Sequence, residues 1–226
     1  MAGRRDSDKP SDKGGKKRSR LPVASEGWPF ILVPAAIAAG LALTGRRKLA
    51  LPFAAASAAS LGFFRDPERE TPTLQHAVVS PADGRVMEIA DAVDPFVGPS
   101  VRIAIFLSPL DVHVNRAPIS GLVVSAQYTA GHFAAAFRPG IEESNERCAI
   151  HIQGESARVT VVQIAGVAAR RIVCRVSAGD KIEAGERFGM IRFGSRTDCY
   201  VPRGTDVRVR VGDRVVGGVT ILGVLP

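Results

Sequence analysis

Two stretches, 28–45 and 49–64, run without a charged residue and are parted only by Arg46, Arg47 and Lys48. Both stretches are uncharged and apolar, so they predict an apolar helical hairpin closed by a basic turn. Each is a little shorter than the ~20 residues that cross a bilayer core upright. If both spanned, the basic turn would lie on the cytoplasmic side. Arg18, Arg20 and Arg65 flank the other ends just as strongly, so the charge pattern leaves orientation open, and a shallow interfacial hairpin fits equally. A signal peptide fits poorly, because the first stretch starts far from Met1 and a second follows at once. The remaining alternative is a helical pair buried in a soluble core; the basic flanks and the many small residues favour the membrane.

At Arg65 the texture changes. RDPERETP, residues 65–72, is charged and holds two prolines, which marks a boundary. Beyond it, short Val/Ile-rich runs alternate with Gly, Pro and Asp: AVVSPADGRVMEIA, VRIAIFLSP, GLVVSAQYTAG, CAIHIQG, ARVTVVQIAG, RRIVCRV, RFGMIRFG, CYVP, DVRVRVG and RVVGGVTILGVL. Many short strands with regular turn signals predict a β-rich α+β fold, a barrel- or sandwich-like domain preceded by the apolar helical hairpin. One further helix is expected over Ala134–Ser144, interrupted at Pro139 and Gly140. The predicted organisation is a tail over 1–20, a membrane-associated hairpin over 21–64 and a catalytic domain over 65–226.

Composition refines this picture. With 46% apolar but only 6% aromatic residues, the core should be built from Val, Ile, Ala and Leu. The net charge of +8 is uneven: residues 1–20 carry eight Lys/Arg against three Asp, a net +5. Such a tail reads as disordered, either a plain solubiliser or a tether to anionic surfaces; the apolar hairpin beside it favours the tether. No aromatic stacking motif accompanies the charge, so nucleic acid is not an expected partner. Cys148, Cys174 and Cys199 are odd in number and widely spaced. They indicate neither a disulfide framework nor a zinc site, no metal is expected, and a reducing cytosolic setting fits.

Three places could carry chemistry. Gly194-Ser195 sits between an apolar strand and a short strand; Gly tolerates strained backbone, and a strained Gly-Ser peptide suits an N→O acyl shift, although the pair alone reads first as an ordinary β-turn. SPADGRV, residues 80–86, is a turn in which Asp83 could orient a histidine. FLSPLDVHVNRAP, residues 106–118, holds His113 between Asp111 and Arg116. Ser, His and Asp are the parts of an activated nucleophile. His132 is a weaker candidate base, and His76 and His151 read as structural.

FFRDPER, SPADGRV, FLSPLDVHVNRAP, NERCAI and the late FGS, in this order from Phe63 to Tyr200, resemble the phosphatidylserine decarboxylase family, in its short form with a Gly-Ser cleavage site near the C-terminus. The resemblance implies self-cleavage between Gly194 and Ser195 into a β chain (1–194) and a 32-residue α chain (195–226) that stay together as a heterodimer, with a pyruvoyl group made from Ser195. It implies that this group forms a Schiff base with phosphatidylserine, releasing CO2 and phosphatidylethanolamine, with His113 delivering a proton and Asp83 in a Ser-His-Asp set. Longer members are expected to carry a second histidine where Arg116 stands here, so either His113 serves both self-cleavage and decarboxylation or another group activates Ser195. Arg116 could instead bind the substrate carboxylate or phosphate. The implied location is the cell membrane, with the catalytic domain on the cytoplasmic side.

Two other readings are kept. One is the same chemistry on another serine lipid. The other is a non-catalytic carrier, because VSAGDKIEAGERFGMI resembles the Gly-Asp turn of lipoyl- and biotinyl-type barrel-sandwich domains; Lys181 would be its attachment point, though it lacks the surrounding motif.

Overall fold

The computed structural model describes residues 22–133, 144–166, 171–192 and 195–226. The helix expected over Ala134–Ser144 lies, but for its last residue, outside the described residues, as does Gly194.

Two α-helices, α1 (Trp28–Leu43) and α2 (Arg47–Phe63), form the hairpin, with Arg46 and Gly45 in the turn. Pro29 sits in the first turn of α1, where its missing N–H costs nothing, whereas Pro34 and Pro52 lie inside the helices. The helix Ser25–Leu43, 19 residues, is long and apolar enough by length and composition to cross a membrane. Leu32, Val33, Leu43, Leu49 and Leu51 are all exposed. Across the helix seam the Ser57 hydroxyl donates to the Ile31 carbonyl at 2.8 Å, so a polar group finds its partner inside the pair.

The strands follow in order: β1 (Ala77–Val79), β2 (Gly84–Asp94), β3 (Gly98–Leu107), β4 (Val114–Arg116), β5 (Gly121–Thr129), β6 (Arg147–Gln153), β7 (Arg158–Ala165), β8 (Ile172–Cys174), β9 (Lys181–Ile182), β10 (Arg187–Ile191), β11 (Ser195–Pro202), β12 (Asp206–Val207), β13 (Arg214–Val215) and β14 (Ile221–Val224). Eight of them build one antiparallel sheet, β13-β2-β3-β11-β7-β6-β5-β9, which curls into a half barrel. Two three-stranded sheets, β1-β14-β12 and β4-β10-β8, complete the fold. The alternating burial of β6 follows the period-2 pattern of its sequence. The core is mostly aliphatic, as expected: Ile103, Ile105, Leu107, Ile150, Ile152 and Val161 are fully buried, with Phe188 the one aromatic among them.

β11 is the strand that positions the site. It pairs with β3 on one side and β7 on the other along nearly its whole length, so it has no free edge and is buried on both faces. Ser195, Thr197, Cys199 and Val201 share one face with the aliphatic core. Arg196 and Asp198 lie on the other, fully buried and joined by a two-pronged ion pair at 2.6 and 2.8 Å. Gly84 opens β2 with φ +148°, and a Cβ there would stand 2.1 Å from the Phe106 carbonyl oxygen. The Asp83–Gly84 turn can therefore lie against the end of β3 only with a glycine at this position.

The hairpin is joined to the sheets at its foot. Phe63 and Phe64 are buried with Ala24, Val112, Val114 and Met190, the Ala24 amide donates to the Phe64 carbonyl and the Asp66 amide to Pro22. The composition break at Arg65 is thus not a break in packing.

Candidate active site

Ser195 opens β11, opposite Leu107 of β3 and Ala165 of β7. Rather than standing in a turn, it is held on both sides by a ladder, and its side chain is fully buried. Its Oγ has no hydrogen-bond partner among the described residues. A buried hydroxyl left unpartnered costs about 1–3 kcal/mol, and a catalytic role is one reason for a fold to keep such a group.

His113 immediately precedes the short run into β4 and is also fully buried. Its Nδ1 lies 2.9 Å from the Asp111 carbonyl oxygen. A carbonyl only accepts, so Nδ1 carries the proton and Nε2 presents a lone pair. That Nε2 is likewise buried and unpartnered among the described residues. The Phe63 ring packs on the imidazole with centroids 4.2 Å apart. Burial pushes the imidazole down to about 4, helped by the Arg65 charge and opposed by the Asp111 carbonyl and the charges of Asp111 and Asp83. His113 is therefore a neutral, water-shielded base at neutral pH.

Two links hold His113 to the strands around Ser195. The Ile191 amide, four residues before Ser195, donates to the His113 carbonyl. Asn115, two residues after His113, donates to the Thr197 hydroxyl at 3.1 Å, two residues after Ser195. Asn115 Oδ1 in turn accepts from Gln163 at 2.8 Å. Neither Ser195 Oγ nor His113 Nε2 has a hydrogen-bond partner among the described residues, so no hydrogen bond joins the two. The sequence reading passed over Asn115, Thr197 and Gln163. A signal existed only for Gln163, a polar residue in the apolar run VTVVQIAG; Asn115 in VNR and Thr197 in SRTDCYVP stand among other polar residues.

Asp83 is not brought to His113 as a hydrogen-bond partner. Arg69 grips both of its oxygens, and the Gly217 amide adds a third bond at 2.8 Å. Its charge reaches the imidazole only through space. The group that orients His113 is the backbone of Asp111. The Asp111 carboxyl, although burial works to raise it, is held below the usual carboxylate range by the Ser108 hydroxyl and amide and by Arg214.

Arg116 stands 3% exposed. It donates to the Gly185 and Pro67 carbonyls at 2.9 Å and pairs with Asp66; among the described residues only its Nε lacks a partner. In this arrangement it fastens the RDPER segment to the strands rather than facing an open cleft. Arg187 pairs with the same Asp66 at 2.7 Å. Burial, with Arg187 and Arg69 nearby, lowers the Arg116 guanidinium to about 10 against the pull of Asp66 and Glu68.

His132 makes an isolated bridge with Asn145. His151 contacts the Ser125 hydroxyl at 2.8 Å and stacks on Phe96, and His76 sits at φ 57° beside the C-terminal strand. Lys181 lies in the edge strand β9 opposite Leu122. All three cysteines are free.

A family model described as phosphatidylserine decarboxylase matches residues 57–223. The chain belongs to the phosphatidylserine decarboxylase family. A phosphatidylserine decarboxylase proenzyme of Burkholderia mallei (strain SAVP1) is 43% identical over 206 residues, covering 90% of this chain and 95% of the relative. One of Geobacter metallireducens is 42% identical over 217 residues, 93% of this chain and all of the relative. One of Aromatoleum aromaticum is 44% identical over 208 residues, 90% and 96% respectively. As a decarboxylase the family consists of carboxy-lyases, so the chain is an enzyme, and the carrier reading built on Lys181 falls.

Proposed function

We propose that this protein decarboxylates phosphatidylserine to phosphatidylethanolamine and CO2, after cutting itself between Gly194 and Ser195. The observation that carries the reading is the pair of fully buried, unpartnered atoms, Ser195 Oγ and His113 Nε2, at the residue where the resemblance puts the cut.

The residues fit the making of a pyruvoyl group. His113 Nε2 takes the Ser195 Oγ proton as Oγ attacks the Gly194 carbonyl carbon. The C–N bond breaks, the Ser195 nitrogen becomes a free amine, and an ester joins Gly194 to Ser195. Loss of the Ser195 α-proton then expels the Gly194 carboxylate and leaves dehydroalanine. Its enamine tautomerises, and water replaces the nitrogen, which leaves as ammonia. The α chain would begin with the pyruvoyl group at position 195, and the β chain would end at Gly194. Since β11 is bonded to β3 and β7 on both sides, the two chains should remain one unit after the cut.

When formed, the pyruvoyl ketone would condense with the substrate amine and draw off the electron pair of the breaking C–C bond. His113, with Nδ1–H anchored on Asp111, would hold the proton that returns to the substrate α-carbon. Phe63 would keep water from the imidazole, which disfavours charge there and suits loss of a carboxylate. Asp83 would act at a distance, through its charge, and Arg116 through the segment it fastens. The names of the relatives favour phosphatidylserine over another serine lipid as the substrate.

The hairpin supports action at a membrane. Substrate and product both carry acyl chains and stay in the bilayer, and the foot of the exposed, apolar α1–α2 pair meets His113 through Phe63. The same reading places the enzyme at the cell membrane with the sheets on the cytoplasmic side.

Intact mass spectrometry of purified protein, beside Ser195→Ala, tests the cut. The wild type should yield two chains split after Gly194, the smaller lighter by one ammonia than a Ser-initiated peptide, and Ser195→Ala should remain whole. A folded wild-type chain that stays uncut would remove the pyruvoyl mechanism.

A further inference from the structure

The turn between β3 and His113 has an apolar tip and a rigid base. The Asp111 carboxylate accepts from the Ser108 amide and hydroxyl at 2.8 and 2.6 Å, the Asp111 amide donates to the Ser108 carbonyl, and the Asp111 carbonyl holds the His113 ring. At the tip stand Pro109 and Leu110, with Leu110 81% exposed. One exposed leucine is ordinary on a protein surface, but two further features distinguish this one.

The first is continuity with the hairpin. Arg65 donates both to the Gly62 carbonyl at the end of α2 and to the Leu110 carbonyl. The apolar tip is therefore tied to the foot of the exposed helices. The second is charge. Arg85 and Arg214 stand directly opposite each other in the β2–β13 ladder. Both are exposed, and Arg214 reaches Asp111 at the base of the turn. Like charges directly opposite in a ladder repel; Asp111 pairs with Arg214, whereas Arg85 has no carboxylate partner among the described residues and donates only to the Gly212 carbonyl, so an anionic surface would supply the missing counter-charge.

We propose that the Pro109–Leu110 turn, with Arg85 and Arg214, is a second membrane contact that docks on anionic phospholipid headgroups beside the hairpin and sets the angle at which the His113 site meets the bilayer. The proposal rests on the membrane part of the function above. Leu110 enters the headgroup–acyl boundary while the two guanidiniums meet lipid phosphates. Because the turn's base also orients His113, contact with lipid is mechanically joined to the catalytic imidazole.

The test uses the full chain and a matched control. Val93 is equally exposed, at 81%, but lies at the other end of the β2–β3 ladder from Leu107. Leu110→Trp and Val93→Trp are made separately in a Trp28→Phe background and mixed with vesicles of brominated phosphatidylcholine and phosphatidylglycerol. Indole emission should shift to the blue and be quenched for Leu110→Trp, and stay unchanged for Val93→Trp. A Leu110→Trp indole that remains unquenched, or that is quenched no more than the Val93→Trp one, overturns the proposal. In addition, Arg85→Gln should weaken partition onto phosphatidylglycerol vesicles about fivefold and leave neutral vesicles unaffected; equal binding to both would remove the anionic part. CO2 release by the wild-type chain and by both Trp variants is followed in parallel on the same vesicles with phosphatidylserine added. Quenching without decarboxylation would sink the assigned reaction but keep the docking surface, and decarboxylation without quenching would do the reverse.

Discussion

At the scale of single residues, the proposed chemistry rests on where one proton sits. The Asp111 carbonyl can only accept, so His113 keeps its proton on Nδ1 and leaves Nε2 free. Burial moves the imidazole down to about 4, whereas in an unfolded chain it would titrate near 6.5. Between those values the unfolded state binds the extra proton, so the contribution of His113 to stability is present above about pH 6.5 and is lost as pH falls toward 4. The same shift predicts the pH dependence of the proposed self-cleavage. If His113 is the base, the processing rate of freshly refolded precursor should stay nearly flat from about pH 8 to 5.5 and fall only toward pH 4. His113→Ala should slow it by about 10²–10⁴-fold. Quenched-flow samples read by gel would show it, and a midpoint near 6.5 would mean that His113 is not the base or is not shielded.

At the scale of elements, the site depends on how the small sheet β4-β10-β8 is pinned onto the large one. Asn115 of β4 does this with a carbonyl and an amide, bridging Gln163 of β7 and Thr197 of β11. Gln163 Oε1 has no partner among the described residues, so the network already runs close to its minimum of bonds. Asn115→Ala should destabilise the protein by about 1–3 kcal/mol, because it strands two fully buried polar groups. Urea unfolding followed by circular dichroism measures this. Under the proposed mechanism, processing should slow as well, because the bridge sets the approach of His113 to Ser195. A variant of unchanged stability would show that Asn115 is not a clamp.

At the scale of the whole molecule, hairpin and sheets share a core. A chain begun at Arg65 would lose Ala24, Phe63 and Phe64 from contact with Val112, Val114 and Met190 and would expose the His113 ring that Phe63 covers. Removing a buried phenylalanine typically costs about 3–5 kcal/mol. The truncated chain should therefore melt well below the full-length protein in the same detergent and process poorly. Differential scanning calorimetry with intact-mass readout would check this, and a truncation that melts and processes like the full chain would show that the hairpin is an anchor and nothing more.

Much was legible without coordinates, because it depends on local pattern. Uninterrupted apolar stretches could only be helices of the kind seen in α1 and α2, and period-2 alternation between turn residues marked the strands, as in CAIHIQG of β6. The mostly aliphatic core followed from the scarcity of aromatics. The candidates Ser195, His113 and Asp83 could be named because their motifs are short and contiguous. What the sequence could not decide were choices between partners far apart in the chain. Asp83 is bound by Arg69 and the Gly217 amide rather than by His113, and Arg116 is bound by Gly185, Pro67 and Asp66. A carboxylate or guanidinium pairs with whichever opposite group the fold delivers, and nothing in its own neighbourhood in sequence names that group. The same holds for Ser195. The sequence supplies a hydroxyl after a glycine, but only the ladders to Leu107 and Ala165 bury that hydroxyl, which has no partner among the described residues, and only the foot of a distant hairpin packs on the His113 ring.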